Sequence, residues 1–404
     1  MPGPLHGVTV LDFSRVLTGP HCTRLLCDLG ADVIKVEPPQ GDLTRFFVPR
    51  VGSMGVYFAQ QNTGKRNVSV DLDQPEAVEL LLRLVPQMDV VVENFRPGVM
   101  DRLGLGYAHV CERNPRIVYT SITGYGQDGP WRDRPAYAPT VHADMGYLDA
   151  MARTRRADPD HDHFSHADLY AAIHGAVGIL AALYDRERTG SGRHVDVAMA
   201  EAMLSASEHL APVLVTDQDA HTPLPGDGTQ MYRTGDGRWV TVAGDPAPRG
   251  TFQSWCTAMG RSDLADDPRF ASDEDRRANR EALLEIIRAW IAGFEDLEEL
   301  DAALQKGRLV LGVVRTLREA ATSPWAQARG AIVEVPDRSG GTLRVPNAPW
   351  RFTGADTGVH GEPAFRGEHN REVFRQFLGL DEAELDRLEA DGILSHRPPR
   401  SPAG

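Results

Sequence analysis

Short apolar runs alternate with helix-forming segments through the first 200 residues of this 404-residue chain. Residues 8–13 and 33–37 are predicted to be strands, and the helix between them is closed by Gly30 at its C-terminal end. The pattern recurs further along and includes a long helix predicted over 168–188. Such alternation favours an α/β fold, in which a largely parallel sheet is covered by helices.

The pattern changes after about residue 215, where hairpin signals and short amphipathic helices replace the alternation. A Gly-Asp-Gly sequence at 226–228 indicates a break at this point. We therefore predict a large domain that begins with residues 1–215, a small α+β domain over 216–330, and a C-terminal segment over 331–404 that returns to the large domain.

Charge and composition exclude several classes of protein. The chain carries 43 basic and 57 acidic residues, a formal net charge of −14, which argues against a nucleic-acid partner. Residues 1–140 are nearly neutral, with 14 basic and 15 acidic residues, so a small polyanion can bind there. The apolar runs are too short for a membrane span, and the four cysteines lack metal-ligand spacing. We expect a cytoplasmic protein without a membrane partner.

Asp168 stands where a polar segment gives way to a long apolar helix, and two roles compete for it. As the N-cap of that helix it would contribute about 1 kcal/mol to stability. A helix N-terminus also favours the ionised carboxylate, which can act as a nucleophile. From the residues alone the cap is the favoured interpretation, and the nucleophile stays open.

Three further motifs suggest ligands, and each has a simpler interpretation. The glycine-rich run at 124–129 matches the dinucleotide pattern G-x-G-x-x-G, but the Pro-containing segment after it cannot start the helix that the motif requires. Lys65 and Arg66 suit a phosphate by charge, or form a solvated surface pair. The three histidines within 161–166 suit a metal ion, although a solvated loop is the simpler interpretation.

Several segments in a fixed order carry a recognisable pattern: LHGVTVLDF (5–13), LGADVIKVE (29–37), GKR (64–66), VENFRPG (92–98), ITGYG (122–126), TGSGRHVDV (189–197), YRTGDG (232–237) and RGEHN (366–370). Together with Asp168 they cover about 370 residues. They resemble the family III CoA-transferases, which include formyl-CoA transferase, carnitine CoA-transferase and the α-methylacyl-CoA racemases.

The resemblance implies a fold and a mechanism. Its members are homodimers whose two chains are interlocked like linked rings, each with a Rossmann-like large CoA-binding domain and a small α+β domain. Asp168 would attack an acyl-CoA thioester, and the aspartyl anhydride and then an aspartyl-CoA thioester would pass CoA to an acceptor carboxylic acid. Because an aspartate is already ionised at pH 7, this chemistry needs neither a general base nor a metal, and it needs no NAD.

The resemblance also implies a set of residues that border the CoA groove. These are Asp71, Leu72, Asn94, Phe95, Arg96, Arg102, Arg134 and Tyr137. The arginines among them suit phosphate oxygens, because a guanidinium offers several donors in a rigid plane. The implied ligand is coenzyme A, carried in as an acyl-CoA substrate.

The chain departs from the family pattern at several places, among them the short Gly-Asp-Gly at 226–228 where relatives have a glycine run and Pro246 where the racemases have a second acid. Leu17 stands where relatives of formyl-CoA transferase have glutamine, which argues against formate or oxalate chemistry. Tyr137 stands where the racemases carry a histidine base, and His142 is the one nearby substitute. Arginines and histidines near 132–166 favour a dicarboxylic acyl group. An acyl-CoA racemase or isomerase, and a CoA-ester binding protein without turnover, remain as alternatives.

Overall fold

A computed structural model of the chain describes residues 1–216 and 228–396. Two compact units divide them: the larger holds 1–152, 157–216 and 325–396, and the smaller holds 153–156 and 228–324. Of the break predicted at 226–228, the first two residues lie outside the described part of the chain.

The strands of the described residues are short, as expected for the core of an α/β fold. In chain order they are β1 (Thr9–Asp12), β2 (Asp32–Glu37), β3 (Arg50–Val51), β4 (Met54–Gly55), β5 (Arg66–Ser69), β6 (Val90–Glu93), β7 (Val118–Thr123), β8 (Arg193–Ala198), β9 (Gln230–Arg233), β10 (Trp239–Val242), β11 (Leu311–Val313), β12 (Ile332–Pro336) and β13 (Thr342–Pro346).

Most of the helices are also short, and one is much longer than the rest. In chain order they are α1 (Thr18–Asp28), α2 (Val56–Asn62), α3 (Pro75–Leu84), α4 (Val99–Arg102), α5 (Tyr107–Arg113), α6 (Ala138–Asp144), α7 (Tyr147–Arg155), α8 (His166–Thr189), α9 (Met199–Ser205), α10 (Leu210–Thr216), α11 (Arg249–Met259), α12 (Asp273–Ala278), α13 (Arg280–Ile291), α14 (Leu297–Lys306), α15 (Leu317–Ala321), α16 (Pro324–Arg329), α17 (Asn370–Leu378) and α18 (Glu382–Ala390).

The larger unit is built on a six-stranded sheet with the order β5-β2-β1-β6-β7-β8, and every pair in it is parallel. The predicted βαβ unit is present as β1-α1-β2, with Thr9 opposite Asp32. The prediction of an α/β fold with a parallel sheet is therefore confirmed. From β1 the chain adds strands outward to β5 on one side, and from β6 to β8 on the other.

Helices cover both faces of this sheet, so consecutive strand residues enter different cores. Leu11, with its neighbours Ile34 and Val91 on the adjacent strands, packs on the side that holds the hydrophobic residues of α3, α17 and α18. Val10 points to the other side, where α1 and α8 pack. The last helices of the chain thus complete a core that its first strand begins.

The smaller unit contains a three-stranded antiparallel sheet with the order β11-β10-β9. Helices α11, α13 and α14 pack on it, around a core that includes the fully buried rings of Tyr232 and Trp255. The turn between β9 and β10 contains Gly237 at φ +85°, a conformation that glycine adopts without strain.

Helix α8 has the length and apolar composition that a membrane-spanning helix needs, contrary to our expectation from the sequence. Core helices of soluble proteins meet the same criteria, and one such helix is weak evidence for a membrane. In this structure α8 packs against α1, α9, β7 and β8. One of its faces nevertheless stays uncovered, with Ile173, Val177 and Tyr184 46%, 59% and 71% exposed.

Candidate active site

A cleft of about 290 Å³ opens at the carboxyl ends of β1, β6 and β7. The strand order reverses between β1 and β6, and open parallel sheets bind ligands in the crevice at such a switch point. The lining comes from loops after these strands and from the first turns of α1, α8 and α9. It comprises Arg15–Thr18, Asn94–Pro97, Ile122–Gly124, Arg132, Arg134–Tyr137, Asp168 and Met199.

Asp168 lines this cleft from the first turn of α8. Our prediction that it is the N-cap is wrong, because α8 begins at His166 and Ser165 occupies the cap position. The Asp168 carboxylate is instead directed at the start of α1, where its Oδ1 accepts a hydrogen bond from Oγ1 of Thr18. The role of N-cap is therefore excluded, and the carboxylate lines the cleft from the first turn of α8.

Two opposing effects act on the Asp168 carboxyl. Burial raises its pKa, and the hydrogen bond from Thr18 works in the other direction, because it stabilises the ionised form. Of the described residues that line the cleft, Asp168 is the one carboxylate, whereas four are arginines: Arg15, Arg96, Arg132 and Arg134. Arg132 and Arg134 pair with Asp133 and Asp144, at 3.7 and 3.0 Å, whereas no salt bridge of Arg15 or Arg96 is found among the described residues, so the lining still suits an anionic ligand.

Arg15 and Thr18 are site residues that the sequence analysis missed. The backbone N–H and carbonyl of Arg15 both bond the Asn94 side chain, at 2.8 and 2.9 Å. Its guanidinium lies 4.9 Å from the centre of the Phe95 ring, and its buried Nε has no hydrogen-bond partner among the described residues. A signal was present, since Arg15 follows β1 as Asn94 follows β6, at the same edge of the sheet.

Of the residues assigned to the CoA groove by resemblance, five line the cleft together with Asp168: Asn94, Phe95, Arg96, Arg134 and Tyr137. The other three lie outside it. The backbone N–H of Asp71 bonds Ile393, and Leu72 packs against the sheet core. Arg102 is exposed at the end of α4. Its guanidinium lies near Gly98, since a Cβ atom added to this glycine would be 3.4 Å from it. Their contact with CoA stays a prediction.

Lys65 is not available to a ligand, and both interpretations drawn from the sequence are wrong. The residue is only 3% exposed. Its Nζ bonds Asp12 at 3.1 Å, Thr23 at 2.8 Å and the backbone carbonyl of Pro20 at 2.9 Å. Burial lowers its pKa to about 8, and Asp12 opposes that shift. Lys65 therefore has a structural role, because its ammonium links the end of β1 to the first turns of α1.

His142 does not line the cleft, although it was the one candidate for a racemase base. Its Nε2 accepts the backbone N–H of Ala167 at 3.1 Å, so this ring nitrogen is occupied. Burial also lowers the pKa of the imidazole. His142 thus satisfies one of the free N–H groups at the start of α8, next to Asp168.

In the described residues, the other two motifs do not form the dinucleotide and metal sites that they suggested, although Gly124 lines the cleft. The glycine-rich run at 124–129 is a loop, and the next helix begins only at Ala138. The run therefore does not lead directly into a helix, as the dinucleotide motif requires. No group of three or more His, Cys, Asp or Glu side chains is arranged for a metal ion within 1–216 and 228–396. His166 instead lies 3.3 Å from the Asp162 carboxylate.

Comparison with known proteins identifies the family. The model of CoA-transferase family III matches residues 5–370. The chain is 32% identical to the succinyl-CoA–D-citramalate CoA-transferase of Chloroflexus aurantiacus, over 97% of this chain and 98% of that protein. It is 34% identical to the formyl-CoA:oxalate CoA-transferase of Streptomyces avermitilis, over 98% and 100% respectively.

A solved structure shares the fold of this chain. The crystal structure of a CAIB/BAIF family protein from Brucella suis superposes with a TM-score of 0.81, at 31% sequence identity, and the alignment covers 93% of this chain and 100% of that one. With the family model matching almost the whole chain, the conclusion is direct: the chain belongs to CoA-transferase family III and is a transferase.

Proposed function

We propose that this protein transfers CoA from an acyl-CoA thioester to a carboxylic acid through covalent intermediates on Asp168. One observation carries the proposal: the described lining residues of the cleft at the strand-order reversal include a single carboxylate together with four arginines. The relatives are named as CoA-transferases for oxalate or citramalate, and they supply the reaction class.

The reaction divides into four acyl transfers. The Asp168 carboxylate attacks the thioester carbonyl and expels the CoA thiolate, which leaves a mixed anhydride. The thiolate then attacks the aspartyl carbonyl, expels the donor acid and forms an aspartyl-CoA thioester. The acceptor carboxylate repeats these steps in reverse and departs as the new thioester. The energy of the thioester is conserved at each step, so the reaction consumes no ATP and requires no metal or NAD.

The cleft holds one part of the CoA molecule in this proposal. A volume of about 290 Å³ is at the lower end for a small-molecule site, too small for an adenine, three phosphates and a pantetheine arm together. Arg96 and Arg134 are placed for phosphate oxygens at the cleft, and Arg102 for those beyond it. Asp71 and Leu72 would border the outer part of the same groove.

An arginine that shares the cleft with the reacting carboxylate favours a dicarboxylic substrate. Arg15 shares the cleft with Asp168, and its buried Nε lacks a partner in the described residues. A carboxylate accepts two hydrogen bonds from one guanidinium, so the second carboxylate of a dicarboxylic acid would satisfy this group. Citramalate, after which one of the relatives is named, carries two carboxylates.

The proposed assembly is an interlocked homodimer in the cytoplasm. The uncovered face of α8 supports a partner, because Ile173, Val177, Leu180 and Tyr184 follow one another at the three- and four-residue spacing of a single helix face. Contiguous apolar surface of this kind is typical of an interface. If the chains interlock, folding and dimerisation are coupled.

The test of this function is a covalent one. The protein is incubated with succinyl-CoA, acetyl-CoA or formyl-CoA in the presence of hydroxylamine, and its intact mass is measured. We expect a hydroxamate on the parent protein that peptide mapping locates at Asp168. The Asp168→Ala variant should stay unmodified, because no carboxylate remains to be charged.

Asp185→Ala is the matched control, since it removes an exposed aspartate from the distal half of α8. It should be charged like the parent protein. If no donor modifies the parent, the covalent route is excluded. Consumption of thioester would then separate a turnover enzyme from a protein that only binds CoA esters.

A further inference from the structure

We propose that the hydroxyl of Thr18 is a catalytic oxyanion donor, which stabilises the negative charge that forms on the aspartyl carbonyl oxygen when Asp168 is the electrophile. This inference rests on the proposed function, because only a covalent route makes the aspartyl carbon a reacting centre. It concerns the second and third transfers, in which CoA thiolate or the acceptor carboxylate attacks that carbon.

The hydrogen bond distinguishes the two oxygens of Asp168. Oγ1 of Thr18 donates to Oδ1, so Oδ2 is the oxygen left to attack the donor thioester. Oδ2 then becomes the bridging oxygen of the anhydride, and Oδ1 remains the aspartyl carbonyl oxygen. The hydroxyl that held the carboxylate is therefore already in place at the carbonyl.

The charge balance of the second transfer requires such a donor. The thiolate sulfur forms a bond to Cγ of Asp168, and the carbonyl electron pair moves onto Oδ1. When the tetrahedral intermediate collapses, that pair returns and the bond from Cγ to Oδ2 breaks. The donor acid leaves as a carboxylate that contains Oδ2. Donors aimed at the oxygen where charge develops act most strongly when they are fixed in a site that excludes water.

The backbone that carries Thr18 is fixed by buried side chains. Nζ of Lys35 donates to the carbonyl of Ser14 at 2.7 Å, and the Val16 N–H donates to the Asp42 carboxylate at 3.2 Å. Val16 has a φ of +67°, a conformation that costs energy in a β-branched residue and persists only where its surroundings impose it. The position of the loop before Thr18 is thus set before any substrate binds.

A second set of bonds holds the helix that follows. Nζ of Lys65 donates to the Pro20 carbonyl and to the Asp12 carboxylate, and Asp12 also accepts from Thr23 at 2.6 Å. The chain has only three lysines, and Lys35 and Lys65 are both buried here against aspartates. A buried ammonium is stable only when it is paired and fully hydrogen-bonded, so this network is rigid. The first turn of α1 therefore presents the Thr18 hydroxyl in a preorganised position.

The experiment compares Thr18→Val with Thr18→Ser by rapid quench and intact mass, using succinyl-CoA or whichever of the three donors charges the parent protein. Valine keeps the branched shape and removes the hydroxyl, whereas serine keeps the hydroxyl. The control Thr189→Val makes the same change at the other end of α8. Thr189 lies about 32 Å from Asp168 along the helix axis, at a rise of ~1.5 Å per residue.

We expect Thr18→Val to form the anhydride at about the parent rate, since the first transfer uses Asp168 as a nucleophile. Its conversion to the aspartyl-CoA thioester should fall by about 10²–10³-fold, the usual loss when one oxyanion donor is removed. Thr18→Ser should recover most of that rate, and the KM for the donor should change little. The thermal midpoints of all variants are measured to exclude a folding defect.

Three outcomes overturn the inference. Thr18→Val that forms the thioester at the parent rate shows that the hydroxyl is not needed. Equal loss of anhydride and thioester formation shows that Thr18 only holds the nucleophile. A parent protein that no donor charges, as in the test above, contradicts the proposed function itself, and the role of Thr18 with it.

Discussion

Asp168 combines burial, which raises its pKa, with a hydroxyl donor and a cleft lined by four arginines. A carboxylate of higher basicity is a better nucleophile, and the hydrogen bond from Thr18 favours its charged form. The reactivity of this side chain therefore comes from its surroundings, since the same aspartate at a helix cap would be a structural residue.

At the residue scale, Arg15 is expected to select the acceptor. Replacing it by glutamine removes the charge and the paired donors, and charge-assisted bonds contribute about 1.5–3 kcal/mol. We expect the KM for a dicarboxylic acceptor such as citramalate to rise by roughly 10- to 100-fold, with little change for acetate. Steady-state kinetics with succinyl-CoA or another charging donor measure both.

Arg113→Gln is the control for this prediction, because Arg113 pairs with Glu79 on the surface away from the cleft. It should leave both KM values unchanged. Equal losses with acetate and with the dicarboxylic acids would assign Arg15 to CoA phosphates instead of the acceptor.

At the element scale, the start of α8 shows how a tertiary contact replaces a local one. The sequence places an aspartate where helices often take a cap, but the cap residue is Ser165 and its side chain makes no cap hydrogen bond. The N–H of Ala167 is satisfied by His142, which comes from α6. The Asp168 side chain is thereby left for the cleft.

The end of β6 carries a second buried carboxyl whose charge state affects stability. Glu93 is 4% exposed and accepts the Phe95 N–H at 2.8 Å, and burial raises its pKa from 4.5 to about 7. Because the folded state holds this proton more tightly than the unfolded chain, the stabilisation is complete below pH 4.5. It is lost as the pH rises through 7.

The free energy of unfolding, measured by chemical denaturation between pH 4.5 and 8, tests this effect. We expect the difference in stability between the parent protein and Glu93→Gln to change by about 3 kcal/mol across this range, since one pKa unit corresponds to about 1.4 kcal/mol. Parallel pH profiles for the two proteins would show that Glu93 is ionised at neutral pH.

At the scale of the whole molecule, the uncovered face of α8 predicts self-association. Val177 is 59% exposed in the middle of that face, so Val177→Asp places a charge in the proposed dimer interface. We expect the parent protein to sediment as a dimer and this variant to fail to fold and to aggregate, because folding and dimerisation are coupled in interlocked chains. Burying an unpaired carboxylate costs several kcal/mol.

Arg188→Asp, which introduces the same side chain at an exposed polar position near the end of α8, should remain a dimer. Analytical ultracentrifugation at several protein concentrations separates these states. A parent protein that sediments as a monomer at all concentrations contradicts the assembly proposed here.

The sequence alone determined the α/β class, the β1-α1-β2 unit and the parallel sheet, because hydrophobic periodicity and turn residues act over a few positions. Ordered motifs also led to the family, which the comparisons establish. Only the tertiary structure decided which side chains meet. Thr18 and Asp168, which share a hydrogen bond, are 150 positions apart in the sequence. Lys65 can be buried because it pairs with Asp12, which is 53 positions away in the sequence. Burial, partner and charge state depend on such contacts, and no local pattern encodes them.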